Sequence, residues 1–162
     1  MFNYNTKSFD LVVYVSCLAV MVFTFINNES SAEMTEGKSG LSATVLLYSG
    51  MPDPTFSIVD DTKIKHIKNL LDKAPKNEKH QKGKSVLPSI LGYKGIVVMN
   101  SGNIPDFPEY IAVYNGNMEV RNKDKAYLVD KDNTLEKFVL ELAKESKALT
   151  NKELEIIKER AE

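Results

Sequence analysis

The sequence predicts an α+β fold, with a mixed or antiparallel sheet of four to five strands and two to three helices packed on it. Short apolar, β-prone runs alternate with turn-rich loops, an Asn-Gly pair marks a hairpin, and two segments repeat apolar residues at helical spacing. The elements follow the order β-α-β-β-β(-β)-α-α. A doubly wound parallel sheet would need more alternating strand and helix units.

The first strand is predicted at Ala43–Tyr48, a short apolar run. A stiff turn, Tyr48–Pro54, follows it, because its two prolines fix φ near −65° and cannot continue a ladder. An amphipathic helix comes next, with Ser57 or Asp60 as the capping residue and Pro75 as its end. Its apolar positions are Ile64, Ile67, Leu70, Leu71 and Ala74.

A second buried strand is predicted at Ile96–Met99, and a hairpin follows it. Tyr110–Tyr114 and Asn117–Arg121 flank Asn115-Gly116, the pair typical of a two-residue type I′ turn. This turn sets Tyr114 opposite Asn117. In that register the apolar side chains of both strands lie on one face, which a register slipped by one residue would not give.

The carboxyl-terminal part is predicted to be mainly helical. Ala126–Val129 is either a last short strand or an ordered connection. A second amphipathic helix contains Leu135, Phe138, Val139, Leu142 and Ala143. Asp132, Asn133 or Thr134 caps it. Thr150 and Glu153 form a capping box that begins a terminal helix.

The amino terminus has the pattern of an export signal. Lys7 precedes the apolar run Leu11–Ile26, and the small residues Ser30 and Ala32 predict cleavage after Ala32. We therefore divide the chain into a signal peptide at 1–32, a flexible lead at 33–40, an α+β domain at 41–148 and a terminal helix at 149–162. The predicted location is the periplasm or the cell surface.

The alternative to cleavage is a retained membrane anchor. The apolar run is 16 residues long, short of the roughly 20 residues that cross a bilayer as a helix. Without residues 1–32, the 130 remaining residues contain twenty basic and twenty acidic side chains and no cysteine. This balance argues against nucleic acid as a partner, and the missing cysteine excludes thiol chemistry in the processed chain.

Two groups of residues are candidates for binding. The first is the Tyr48–Pro54 turn, which can present Tyr48, Ser49 and Asp53 to a ligand. The alternative is a plain chain reversal in which Asp53 or Ser49 bonds to nearby backbone N–H groups. The second group is the outer face of the hairpin, where Tyr110, Tyr114 and Arg121 resemble the anchor residues of interfaces. The alternative there is a second core layer, covered by the terminal helix.

The sequence predicts no metal, no cofactor and no catalytic residue. His66 and His80 are the only histidines, and their spacing does not match a metal site. No serine lies in a Gly-x-Ser-x-Gly elbow. The lysines around His80 are interpreted as a solvated loop and not as an anion-binding site. Acidic residues lie among these lysines, and no aromatic residue lies between them to stack on a base.

Two motifs resemble those of an uncharacterised group of small bacterial domains. Tyr48-Ser49-Gly50-Met51-Pro52-Asp53-Pro54 is similar to Tyr-Ser-Gly-Arg-Pro-(Asn/Asp)-Pro, and Leu91-Gly92-Tyr93-Lys94-Gly95 to Leu-Gly-Tyr-Arg-Gly. Met51 and Lys94 stand where that group has arginine. The resemblance implies a folded domain over about 44–143 and no known activity. It adds Tyr93 to the candidate binding residues, with the two motif loops at one end of the sheet.

Three functional hypotheses follow. The leading hypothesis is an exported, non-catalytic binding or accessory module for a protein partner or a small ligand. The second is a hydrolase-like enzyme that uses Asp53 with Ser49 in the Tyr48–Pro54 loop. The third is an envelope scaffold subunit that keeps residues 1–32 as a membrane anchor.

Overall fold

Six antiparallel strands form one sheet in the order β2-β1-β3-β4-β5-β6. A computed structural model describes residues 40–81 and 83–161. The strands are β1 (Leu41–Leu46), β2 (Thr55–Ile58), β3 (Gly95–Met99), β4 (Tyr110–Tyr114), β5 (Asn117–Arg121) and β6 (Lys125–Val129). The predicted α+β class is confirmed, with six strands in place of four to five.

The additional strand is β2, which pairs antiparallel with β1. Pro54 extends this ladder, because its carbonyl accepts a hydrogen bond from Val45 N (2.9 Å). The expectation that the prolines cannot continue a ladder was therefore wrong for Pro54. A proline keeps its acceptor, and on an edge strand its missing N–H costs no inter-strand bond. The Tyr48–Pro54 loop joins two strands, and the helix begins only after β2.

The three helices are α1 (Asp61–Lys73), α2 (Thr134–Glu145) and α3 (Asn151–Ala161). Asp60 caps α1 by accepting from Thr62 N and Lys63 N, as one of the two predicted alternatives had it. Asn133, one of the three predicted residues, is the N-cap of α2, but its side chain makes no capping bond. The carboxylate of Asp130 takes that role and accepts from Leu135 N and Glu136 N across a 3₁₀ turn at Lys131–Asn133.

The predicted β4–β5 hairpin is confirmed in its bounds and its register. Tyr114 pairs with Asn117 and Ile111 with Val120. Asn115 and Gly116 both have positive φ, as a type I′ turn requires. The last segment is a strand, β6, and the Thr150–Glu153 capping box is present at the start of α3.

One face of the sheet packs against all three helices. Strand alternation places Leu41, Val45, Ile96, Val98, Ile111 and Val113 on that face, and each is buried. Ile67, Val139 and Ile157 of the three helices belong to the same core. The terminal helix therefore packs on its own domain and does not cover Tyr110 or Arg121.

We call the opposite face of the sheet the open face. The chain segment between α1 and β3 crosses the half of the open face that lies near the start of β3. Asn77 donates to Asn117 (2.8 Å), and His80 stacks on Tyr127 with ring centroids 4.1 Å apart. No described helix covers the other half, where Met99, Tyr110, Arg121 and Lys125 lie in one row of paired residues.

The predicted signal peptide and almost all of the predicted lead lie outside the described residues. Gly40, the last residue of that lead, is described, and its carbonyl accepts from Ser101 Oγ and Gly102 N. Within residues 40–81 and 83–161, no helix has the length and apolarity needed to cross a membrane.

Candidate functional site

The two motif loops meet at the end of the sheet where β1 ends and β3 begins, which we call the motif end. Lys94 joins the two loops, because its Nζ donates to Tyr48 O (2.7 Å). Its backbone N–H also donates to Leu46 O (2.8 Å) at the end of β1. The expectation that the loops lie together at one sheet end is therefore correct. An arginine is not needed here, because a lysine ammonium makes the bridge.

Asp53 fixes the shape of the first loop. Its Oδ1 accepts from Leu47 N and Tyr48 N, both at 2.7 Å. This is the local backbone bonding that the alternative interpretation of the turn expects. Ser49 is exposed. A role of Asp53 and Ser49 in turnover stays a prediction.

The role of Asp53 gives the first testable prediction. Asp53→Ala removes the acceptor of two loop N–H groups and is expected to lower the free energy of unfolding by about 1–3 kcal/mol. Asp53→Asn keeps a carbonyl oxygen at the same place and is expected to cost less than half as much. Urea unfolding of both variants measures the difference. Equal losses in the two variants would show that the acceptor is not what holds the loop.

Tyr48 ties the first loop to the terminal helix. Its hydroxyl donates to Glu153 Oε1 (2.7 Å), while Glu153 Oε2 accepts from Thr150 N and Thr150 Oγ1. The hydrogen bond to Glu153, with burial, raises the pKa of Tyr48. The bonds from Thr150 and Tyr48 hold the pKa of Glu153 below its usual value. The carboxylate of the capping box therefore also braces the motif end.

Tyr93 braces the second loop from inside the core. It is 1% exposed, and its hydroxyl donates to the buried Glu136 at 2.5 Å. Burial and the charge of Glu136 raise the pKa of Tyr93. Burial also raises the pKa of Glu136, and the bonds from Tyr93 and Asn115 N offset this only in part. A role of Tyr93 in binding stays a prediction.

The cavity at the motif end is small. Tyr93, Tyr114, Glu136 and Leu140 contribute to its lining, and its volume is about 120 Å³. Pockets for drug-sized ligands usually have about 300–1,000 Å³. This cavity is therefore too small to enclose a drug-sized ligand.

The surface of the motif end carries exposed apolar side chains. Met51 is 62% exposed and Leu91 is 74% exposed, and Ile90 beside it is also exposed. Met51 lies three residues after Tyr48 and Leu91 three residues before Lys94, the two residues that bridge the loops. The two other exposed large apolar side chains among the described residues, Val59 and Met99, lie elsewhere. The predicted turns Tyr48–Pro54 and Leu91–Gly95 contain Met51 and Leu91, but neither was named as a binding residue, and Ile90 lies just outside both turns.

The predicted residues do not form one site. Tyr114 lies near Tyr93 at the motif end, with ring centroids 6.1 Å apart. Tyr110 and Arg121 form a pair at the opposite end of the β4–β5 hairpin. The guanidinium of Arg121 lies over the Tyr110 ring, 4.2 Å from its centroid.

Two residues beside Arg121 were not predicted as part of a site. Glu119 is fully buried, and its Oε1 accepts from Arg121 Nε (2.5 Å) and Lys125 Nζ (3.0 Å). Burial alone raises the pKa of Glu119, but the bonds and charges of Lys125 and Arg121 outweigh it and hold the pKa below its usual value. Glu119 Oε2 has no hydrogen-bond partner among the described residues.

The histidines lie apart from each other. His66 packs against Phe138 with ring centroids 4.5 Å apart, and His80 bonds to Lys84 O. In the part of the chain that the structure describes, no three His, Cys, Asp or Glu side chains are grouped so that they could hold a metal ion.

Comparisons with known proteins add no family. No protein-family model matches the chain, and neither the curated proteins nor the solved structures give a significant match.

Proposed function

We propose that this protein is an exported, non-catalytic binding module that docks a protein partner through the motif end. The observation that carries the proposal is the exposure of Met51, Ile90 and Leu91 on two loops that are bonded to each other. Contiguous exposed apolar patches are typical of interaction sites, whereas single scattered side chains are ordinary. The Lys94–Tyr48 bond brings together the two loops that carry these three side chains. Export rests on the sequence of residues 1–32.

The bracing of these loops supports a docking role. Three sets of hydrogen bonds hold the loop backbone near the exposed Met51 and Leu91. They are made by Asp53, by Lys94 and by Tyr48 with Glu153. Loops held in one conformation before binding lose less conformational entropy when a partner binds. These polar contacts therefore hold in place loops whose exposed apolar side chains do not contribute to the core.

A protein partner fits this surface better than a small ligand. The adjoining cavity of about 120 Å³ is too small to enclose a typical ligand. An apolar cleft or helix face on a partner can cover Met51 and Leu91 from outside. The hydrolase-like alternative has weaker support, because Asp53 Oδ1 already accepts two backbone N–H groups.

Site-specific cross-linking in the native host tests this proposal. A photoreactive amino acid is placed at position 51, 91 or 59 in three separate full-length variants. Val59 is the matched control, because it is an exposed apolar residue (45%) just after β2, away from the motif loops. We expect positions 51 and 91 to trap the same protein and position 59 not to trap it.

The outcome that contradicts the proposal is equally definite. Trapping of different proteins at positions 51 and 91, or equal trapping at position 59, would show that the motif end is not one docking surface. Trapping of a second copy of this chain would replace the separate partner with self-association. The mass of the cross-linked product also shows whether residues 1–32 remain, which separates the exported module from the membrane-anchored scaffold.

A further inference from the structure

The strand positions in the uncovered half of the open face present only positive charge to solvent, and the exposed acids Glu109 and Asp124 lie in the adjoining loops. Among the strand positions on this face, the charged residues are Glu119, Arg121 and Lys125. Glu119 is 0% exposed, whereas the side chains of Arg121 and Lys125 are 44% and 38% exposed. The acid therefore adds no accessible negative charge, and the two cations remain accessible.

Arg121 is held in a fixed orientation. Its Nε and Nη2 both lie 2.5 Å from Glu119 Oε1, and the Tyr110 ring lies against its guanidinium. A guanidinium bonded on one edge and stacked on one face keeps its other N–H donors for an external acceptor. The buried Glu119 acts here as a positioning residue.

Lys125 adds a second cation at the same point. Its Nζ lies 3.0 Å from the same Glu119 oxygen, and it pairs directly with Arg121 across β5 and β6. Both ammonium and guanidinium bind carboxylates, and such charge-assisted bonds are about twice as strong as neutral ones. One carboxylate of a ligand can therefore lie between them.

Apolar surface continues from this charged pair along one row of the sheet. Tyr110 pairs with Arg121, and Met99, which is 53% exposed, pairs with Tyr110. Three strand spacings separate Met99 from Lys125, roughly 14 Å. An extended chain of about four residues covers that length.

We propose that this row binds an acidic segment of a protein partner, with a carboxylate on Arg121 and Lys125 and an adjacent apolar side chain on Met99 and Tyr110. Charge complementarity selects this occupant. Met, Tyr and Arg are the residue types enriched in the cores of interfaces. The site is separate from the motif end, so it stands or falls independently of the docking function proposed above.

Selection from a random heptapeptide library on the full-length protein tests this inference. We expect the selected peptides to contain Asp or Glu next to a large apolar residue. A selected peptide is then synthesised with each acid and with Gln or Asn in its place. The amide version is expected to bind about tenfold more weakly or worse, because a charge-assisted hydrogen bond contributes about 1.5–3 kcal/mol.

Variants of the protein locate the site. Arg121→Gln and Lys125→Gln are each expected to weaken the acidic peptide about tenfold. Arg121→Lys keeps the charge that pairs with Glu119 and is expected to fall between Arg121→Gln and the unmodified protein. Lys63→Gln is the matched control, because Lys63 is a similarly exposed lysine paired with Glu145 on the helix side. Peptide affinity of this control is expected to stay unchanged.

The inference would be overturned if the library shows no enrichment of acids or if the acid and amide peptides bind equally. It would also be overturned if Lys63→Gln and Arg121→Gln lose peptide affinity equally. Inorganic phosphate that competes with the peptide at equal concentration would also overturn it, since the site would then recognise any small anion. If Arg121→Gln fails to fold, the comparison of Arg121→Lys with Lys63→Gln decides.

Discussion

Replacing both Arg121 and Lys125 by Met is expected to be among the most destabilising surface changes in this protein. It leaves the buried Glu119 carboxylate without its observed donors. Breaking a buried ion pair from one side usually costs about 3–5 kcal/mol, because an uncompensated charge stays buried. We expect a loss of that size at pH 7, measured by chemical unfolding.

The pH dependence of this loss has a defined sign. In the unmodified protein the pKa of Glu119 is lowered, so its contribution to stability is present above the unfolded-state pKa and is lost as pH falls through the folded-state pKa. In the double variant only burial acts, and it raises that pKa. The variant is therefore expected to gain stability relative to the unmodified protein as the pH falls from 7 towards 4.

Replacing all three residues supplies the control. In the Glu119→Met, Arg121→Met, Lys125→Met triple variant this buried charge is absent. Replacing a buried ion pair by apolar residues often leaves the free energy of unfolding unchanged. The free energy of unfolding of the triple variant is expected to lie within about 1 kcal/mol of the unmodified value. A double variant as stable as the triple variant at pH 7 would contradict the role assigned to Glu119.

Gly95→Ala is expected to have the second large effect. Gly95 ends the second motif and has a φ of 109°. A Cβ there would overlap Val113 O and lie 2.9 Å from Tyr114 Cβ. Positive φ costs a non-glycine residue about 1–2 kcal/mol, and overpacking adds about 1–3 kcal/mol. We expect a total loss of about 2–5 kcal/mol.

Gly50→Ala isolates the steric part of that loss. Gly50 also has positive φ, 95°, but nothing lies within 4 Å of an added Cβ. Only the conformational cost of about 1–2 kcal/mol is expected there. Thermal or urea unfolding of the two variants gives the difference. Equal losses would mean that β3 and β4 separate easily and that the close approach at Gly95 does not matter.

The parts of the fold predicted correctly from sequence are those that local patterns determine. Asn115-Gly116 sets both the turn and the register of the hairpin, because a two-residue turn allows one pairing. The Thr150–Glu153 box depends on residues three apart. In contrast, the polar–apolar alternation of β2 spans only four residues directly after a proline, and its pairing with β1 is not specified by so short a pattern.

The candidate site was less predictable, because distant contacts build it. Lys94 meets Tyr48, and Tyr48 meets Glu153 more than a hundred positions away. No local pattern signals such pairs. The two motifs lie in the loops that carry the proposed docking surface. Sequence reasoning favoured Tyr48, Ser49 and Asp53, however, whereas the exposed large apolar side chains are Met51, Ile90 and Leu91. Apolar residues in a sequence are ordinarily assigned to the core.

The burial of Glu119 is a second feature that local sequence patterns do not predict. The predicted register already placed this residue on the outer face of the hairpin, where a glutamate is expected to be solvated. It is instead fully buried and bonded to Arg121 and Lys125. The pairing of Lys125 required that β6 begin one residue before the predicted segment. The row of Met99, Tyr110, Arg121 and Lys125 proposed above as a binding site is therefore visible only in the complete sheet.

The most direct test of the docking function is the affinity of the cross-linked partner, once identified and purified, for Leu91→Ser and Val59→Ser. Burial of a leucine side chain contributes about 1.5–3 kcal/mol, so Leu91→Ser is expected to weaken binding about ten- to hundredfold. Val59→Ser is expected to bind like the unmodified protein. Equal affinities of the two variants would contradict the assignment of the motif end as the docking surface.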